Sequence, residues 1–128
     1  MRPQGEGVTC SPERIVNSSR QTIIASDVGV ALSRRDRSRG LIGRDGMREK
    51  EALVIPRCRQ VHTFGMRFAI DVLFVGRDGA VVRVCRDLSP RRISPVAWRG
   101  RIAIELPAGT AERTGTSAGD IVRILDRD

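Results

Sequence analysis

Residues 62–75 read HTFGMRFAIDVLFV, and this stretch decides the fold. An Arg-Asp-Gly turn and a second apolar run follow directly in residues 77–85. Asp-Gly suits a tight hairpin turn, because glycine adopts the positive φ that such a turn needs. Gly65 breaks the alternation of the first run, so Ile70–Val75 is predicted as a separate strand, apolar on both faces except at Asp71. The stretch therefore predicts a buried β-hairpin with its polar residues gathered at one end.

Short apolar runs bounded by Gly, Pro and Ser recur along the chain and predict further strands. Their bounds are 15–16, 22–25, 28–32, 52–55, 101–106 and 121–125. One helix is predicted at about residues 33–44, because Ser33 suits an N-cap and Asp36 stands at the capping-box distance. Thr110 is predicted to cap a single helical turn. The pattern is typical of a mainly β class, a small single-domain β-barrel or sandwich with one short helix.

Length and composition predict one folded domain. The chain has 128 residues, of which residues 1–13 are predicted to be a flexible leader and residues 14–128 a single β-rich domain. No apolar run approaches the roughly 20 residues that span a bilayer. The first residues contain no apolar segment of the kind found in secretory signals. A cytoplasmic location without a membrane partner is therefore expected.

The basic residues are almost all arginines. The net charge is +8, with 22 arginines and a single lysine, Lys50. This imbalance favours a genome-wide codon bias and a solvated basic surface. Nucleic-acid binding through the Arg-rich surface is the alternative, and the three phenylalanines, all within apolar runs, leave little for bases to stack on.

No metal or cofactor is predicted. Cys10, Cys58 and Cys85 form no Cys-x-x-Cys pair, and His62 is the only histidine. Structural zinc sites draw on closely spaced ligand pairs, which are missing here. Cys58 and His62 are the one conceivable pair of nucleophile and base. The simpler interpretation of Cys58 is a small buried thiol.

Three blocks of sequence together resemble one family. They read RGLIGR at residues 39–44, the stretch at residues 62–75, and ELPAGT at residues 105–110 with Gly-Asp at residues 119–120. In this order they resemble the bacterial and archaeal family called domain of unknown function 192, over roughly residues 28–125. The resemblance implies a compact, mainly β domain with a short helix, and it implies no reaction. Ile42 departs from the methionine that is usual in the family.

Six residues form the predicted binding site. Asp71 has to be paired, multiply hydrogen-bonded or neutral, because a bare buried carboxylate costs several kcal/mol. Its donors are expected to be backbone amides or an arginine. With Glu105 it could instead form the paired carboxylates of an acid-base site. The predicted site comprises His62, Met66, Asp71 and Glu105, with Arg44 or Arg67 at its rim.

The leading functional hypothesis is non-catalytic binding of a small anionic or polar ligand, or of a protein partner, at this end of the hairpin. The alternative is a small hydrolase or transferase with His62 as base, oriented by Asp71 or Glu105. Asp71 and His62 each also have a structural interpretation, Asp71 as a carboxylate held by neighbouring donors and His62 as a partly buried histidine hydrogen-bonded at a strand end.

Overall fold

The computed structural model describes residues 12–33, 36 and 41–126. In these ranges Asp36 and Leu41 are helical, and eight strands and one helix with fully described bounds also follow one another. They are β1 (Pro12–Asn17), β2 (Thr22–Ala25), β3 (Asp27–Val30), β4 (Glu51–Pro56), β5 (Ile70–Val75), β6 (Val81–Leu88), β7 (Ile102–Pro107), α1 (Thr110–Thr114) and β8 (Val122–Asp126). None of the described helical residues belongs to a helix long and apolar enough to cross a bilayer.

The strands form two sheets. The smaller has the order β2-β1-β8, and the larger has the order β3-β4-β7-β5-β6. All neighbours are antiparallel except β3 and β4, which run parallel. The arrangement is sandwich-like and not a closed barrel, which confirms the predicted mainly β class.

Two apolar cores lie on opposite faces of the larger sheet. The first packs between the sheets, where Leu73 and Ile104 meet Ile15 and Val122 of the smaller sheet. On the other face, side chains of β5 pack against residues from irregular segments; this second core contains Leu41, Val61, Met66, Ile70, Val72, Phe74, Ala97 and Ala103. Because β5 lies between these cores, all six of its residues are buried, as its two-sided apolar pattern predicts.

The turn between β5 and β6 joins the two sheets. Gly79 has a φ of +88°, which confirms the predicted glycine turn. Its carbonyl accepts the Val122 amide at 2.9 Å, and the Val81 amide reaches the Asp120 carbonyl at 2.8 Å. A Cβ atom at Gly79 would lie 3.2 Å from the Val122 carbonyl oxygen. Glycine is therefore required here both for the backbone angle and for the close approach of β8.

Some predicted boundaries differ from the structure. Of the predicted leader only Pro12 and Glu13 are described, and both belong to β1. The predicted helix at residues 33–44 falls largely outside the described residues. β6 continues to Leu88, three residues beyond its predicted end, because Leu88 pairs with Ile70 across a β-bulge.

A buried polar network fastens β1 to the turn before β8. The Asn17 side-chain amide donates to Thr116 Oγ1 and to Asp120 Oδ2, each at 3.0 Å. Asp120 Oδ2 also accepts the Ser117 amide at 3.0 Å and Arg20 Nε at 3.2 Å. These donors, led by Asn17, hold the pKa of Asp120 below its usual value. The ionised carboxylate is therefore the form that the fold stabilises.

This network predicts an acid-dependent stability. Because the folded-state pKa of Asp120 is lowered, its stabilisation is complete above the ordinary pKa of about 3.9 and disappears as the pH falls through the lowered value. Replacing Asp120→Asn should lower the free energy of unfolding by about 2 kcal/mol near neutral pH, and by much less near pH 2. Urea denaturation at both pH values measures the difference.

The matched control is Asp126→Asn, which makes the same change at an exposed carboxylate at the end of β8. It should change stability by less than about 0.5 kcal/mol. A loss for Asp120→Asn that is equally large at both pH values would contradict the proposed role of the ionised form.

Candidate functional site

Asp71 is a buried carboxylate surrounded by backbone donors. The residue is 1% exposed. Its Oδ1 accepts the amide of Asp87 at 2.9 Å, and its Oδ2 accepts the amides of Ala111 at 2.8 Å and Gly109 at 3.2 Å. Its hydrogen bonds come from main-chain N–H groups, the first of the two kinds of donor expected from the sequence. Three such bonds replace the water that the carboxylate loses on burial.

These bonds also explain the short helix α1. Gly109, and not Thr110, is its N-cap, with a φ of +95° and no side-chain cap of its own. The prediction that Thr110 caps the turn is therefore wrong. Asp71 caps the helix from β5, across 40 residues of sequence, and satisfies amides that the first turn leaves unpaired.

Asp71 and Glu105 lie on opposite faces of the larger sheet. Strand pairing places Asp71 opposite Leu106 and Val72 opposite Glu105. Paired residues share a face and neighbouring residues alternate. Asp71 therefore faces the core between the sheets with Leu106, and Glu105 faces the second core, where its side chain is completely buried. The structure does not bring the two carboxylates together.

The other predicted site residues are also dispersed. Met66 is buried in the second core. Arg44 forms a two-pronged ion pair with Glu51, with N···O distances of 2.7 and 2.8 Å, and this pair lowers the pKa of Glu51. Arg67 meets Asp45 at 3.1 Å in an exposed ion pair. None of these contacts directs the two arginines at Asp71.

His62 alone among the six predicted residues lines a cleft on the described surface. The cleft has a volume of about 640 Å³ and is lined by residues 31–33, 55–62, 64 and 93. His62 pairs through an isolated β-bridge with Ile93, and its Nδ1 accepts the Phe64 amide at 3.2 Å. Because Nδ1 is an acceptor, the neutral imidazole carries its proton on Nε2, which is then a donor.

Two arginines line the same cleft. Arg57 and Arg59 are exposed, and Arg57 holds a positive φ of 52°. The Arg59 Nε donates to the Gly100 carbonyl at 3.2 Å, which anchors its side chain. Among the described residues that form the lining there is no aspartate or glutamate. The cleft therefore combines cationic donors with apolar walls.

Cys58 also lines the cleft, so the cleft contains both members of the conceivable nucleophile-base pair. Its thiol donates to the Gln60 carbonyl at 3.2 Å. Cys85 lies in the second core, and burial raises the pKa of its thiol. In the described ranges no three His, Cys, Asp or Glu side chains group closely enough to hold a metal ion.

Sequence reasoning missed Arg57 and Arg59. The sequence did contain a signal for a basic site at these two arginines, because no acidic residue lies between Glu51 and Asp71. Phe64 was also misassigned: it lies at the cleft and is 47% exposed, although its apolar surroundings in the sequence suggest burial.

Together these observations describe a small, sandwich-like β protein with two arginines, Arg57 and Arg59, in the lining of its cleft. The sequence profile of the family DUF192, described as "uncharacterized ACR", matches residues 15–124. The chain belongs to this family, which confirms the resemblance seen in its three sequence blocks.

Two solved structures share the fold. A protein from Sinorhizobium meliloti 1021, described as a "putative transcription regulator", aligns with a TM-score of 0.75 and 23% identity, covering 92% of this chain and 97% of its own. A protein of unknown function from Novosphingobium aromaticivorans DSM 12444 aligns with a TM-score of 0.73 and 20% identity, covering 96% and 91%. No curated protein matches the sequence. At these identities the likeness establishes the fold alone.

The bonds to Asp71 generate a stability prediction. Asp71→Asn keeps the size of the side chain but turns an amide NH₂ toward main-chain donors, so at least one hydrogen bond is lost. We expect the free energy of unfolding to fall by about 3 kcal/mol, measured by urea denaturation.

The matched control is Asp78→Asn in the exposed turn, where the carboxylate accepts a single amide, that of Ala80, at 3.0 Å. This variant should lose less than about 1 kcal/mol. If Asp71→Asn were as stable as the unmodified protein, the hydrogen bonds would not be the reason that Asp71 is buried.

Proposed function

We propose that this protein binds a small anionic ligand in the cleft lined by Arg57, Arg59 and His62. The observation that carries the proposal is that these three residues line one concave surface whose described lining contains no carboxylate. Guanidinium groups bind phosphate and carboxylate in a fork. A volume of about 640 Å³ is in the range of small-molecule sites.

The apolar wall supports a ligand with a flat or hydrophobic portion. Phe64 and Ile93 are exposed to 47% and 58% and flank His62. The imidazole and the Phe64 ring lie 5.4 Å apart between centroids and are inclined by 38°. Such a wall would remove an aliphatic or aromatic part of the ligand from water while the arginines bind its charged end.

The proposed site differs from the one expected at the end of the hairpin. Asp71 has both oxygens engaged by backbone amides, and Glu105 is buried on the other face of the sheet. Neither has support as a partner of His62, so the hydrolase or transferase alternative is less well supported than binding.

The proposal predicts stabilisation by anions. A ligand at about 100 times its dissociation constant stabilises the folded protein by about 2.7 kcal/mol, which for a chain of this size raises the melting temperature by roughly 10 °C. We expect inorganic phosphate, pyrophosphate or citrate to raise the melting temperature at constant ionic strength, and the double variant Arg57→Gln, Arg59→Gln to lose this response.

The control is the double variant Arg14→Gln, Arg123→Gln, which removes the same charge from exposed positions of the smaller sheet. It should respond as the unmodified protein does. An equal loss in both double variants, or no response to any of the three anions, would overturn the proposal.

A further inference from the structure

The positive charge of the chain is concentrated in two segments. Residues 52–70 contain three arginines and residues 88–104 contain four, and neither segment contains an aspartate or glutamate. The rest of the chain holds 16 basic and 15 acidic residues and is nearly neutral. Almost all of the net charge of +8 therefore arises where acidic residues are missing, and not where arginines are unusually dense.

The fold brings these segments together as one layer. The Ala97 amide donates to the Arg59 carbonyl at 2.8 Å, and the Ser94 amide to the Val61 carbonyl at 2.9 Å. The Thr63 amide donates to the Arg92 carbonyl at 2.9 Å. We call residues 57–64 with residues 91–101 the basic layer.

The arginines of the basic layer are available to a partner. All six are exposed, namely Arg57, Arg59, Arg91, Arg92, Arg99 and Arg101. None forms a salt bridge with a residue in the described part of the chain, whereas Arg20, Arg44, Arg48 and Arg67 each pair with a carboxylate. A group of exposed arginines that form no ion pair with any described carboxylate is the footprint expected for a polyanion.

Trp98 identifies the kind of polyanion. Its side chain is 76% exposed and follows Ala97, which is bonded to Arg59. A tryptophan left in water beside arginines offers a flat surface for stacking of bases, and Phe64 offers a second ring at the other end of the layer. We infer that the basic layer binds single-stranded nucleic acid, with phosphates on the arginines and a base stacked on Trp98.

Other polyanions fit less well. The helix α1 has only five residues, too few to lie along the major groove of a duplex. A lipid surface requires an apolar face that inserts between headgroups. Outside the cleft the exposed apolar surface of the layer is mainly that of Trp98.

The chain has one tryptophan and no tyrosine, so its intrinsic tryptophan fluorescence reports on Trp98 alone. Titration with oligo(dT) or oligo(U) at low salt should quench this fluorescence, because a stacked base contacts the indole ring. Between about 50 and about 200 mM salt the affinity should fall steeply, with a logarithmic slope of about −0.7 for each phosphate contact.

Substitutions distinguish the contribution of base stacking on Trp98 from that of phosphate contacts with the arginines. In fluorescence anisotropy with a labelled strand, Trp98→Ala should bind about ten-fold more weakly with an unchanged salt slope. The double variant Arg91→Gln, Arg92→Gln should reduce the salt slope by about 1.4. The control, Arg14→Gln with Arg123→Gln, should bind as the unmodified protein does. Trp98 lies outside the cleft, so Trp98→Ala should keep the response to small anions.

Several results would overturn the inference. These are no binding of either strand at low salt, equal affinity for duplex, an unchanged tryptophan signal on binding, or an equal loss in the control variant. Binding to vesicles of phosphatidylserine and phosphatidylcholine without binding to either strand would assign the basic layer to a membrane surface instead. If the unmodified protein bound neither strand but phosphate still raised its melting temperature, this inference would be refuted and the cleft proposal would stand.

Discussion

A buried carboxylate at Asp71 couples three parts of the fold. Its oxygens accept amides from the end of β6 and from the first turn of α1, so neither element is independent of β5. An uncompensated carboxylate in this position would cost several kcal/mol. The hairpin, its bulge at residues 86–87 and the helix therefore have to be in place together, because each satisfies a charge that cannot be buried alone. The Asp87 backbone adopts a φ of 55° to direct its amide at this charge.

Local pattern was sufficient to predict the strands with clear boundaries. Ile70–Val75 and Thr22–Ala25 were predicted with the bounds that the structure has, and a turn residue follows each run, Gly76 in the first case and Ser26 in the second. The extension of β6 to Leu88 could not be predicted from its own residues. It depends on the bulge opposite Asp71, and a bulge is a property of the pair of strands.

The candidate site was harder to predict than the fold. Whether Asp71 and Glu105 meet depends on the register between β5 and β7, which separates them onto opposite faces. Sequence spacing carries no information on that register. The apolar neighbours of Asp71 predicted that it is paired, multiply hydrogen-bonded or neutral, and the structure shows multiple hydrogen bonds. The basic layer was overlooked because arginines are frequent everywhere, and only the missing acidic residues distinguish its two segments.

The position of β7 in the larger sheet has a consequence for folding. Strand β7 is the last of the five in the chain, yet it lies between β4 and β5 and bonds to both. While the polypeptide is being synthesised, the edges of β4 and β5 remain open until residues 102–107 have left the ribosome. Unprotected strand edges invite pairing between molecules. The nascent chain is therefore prone to pairing with other molecules until β7 inserts between β4 and β5.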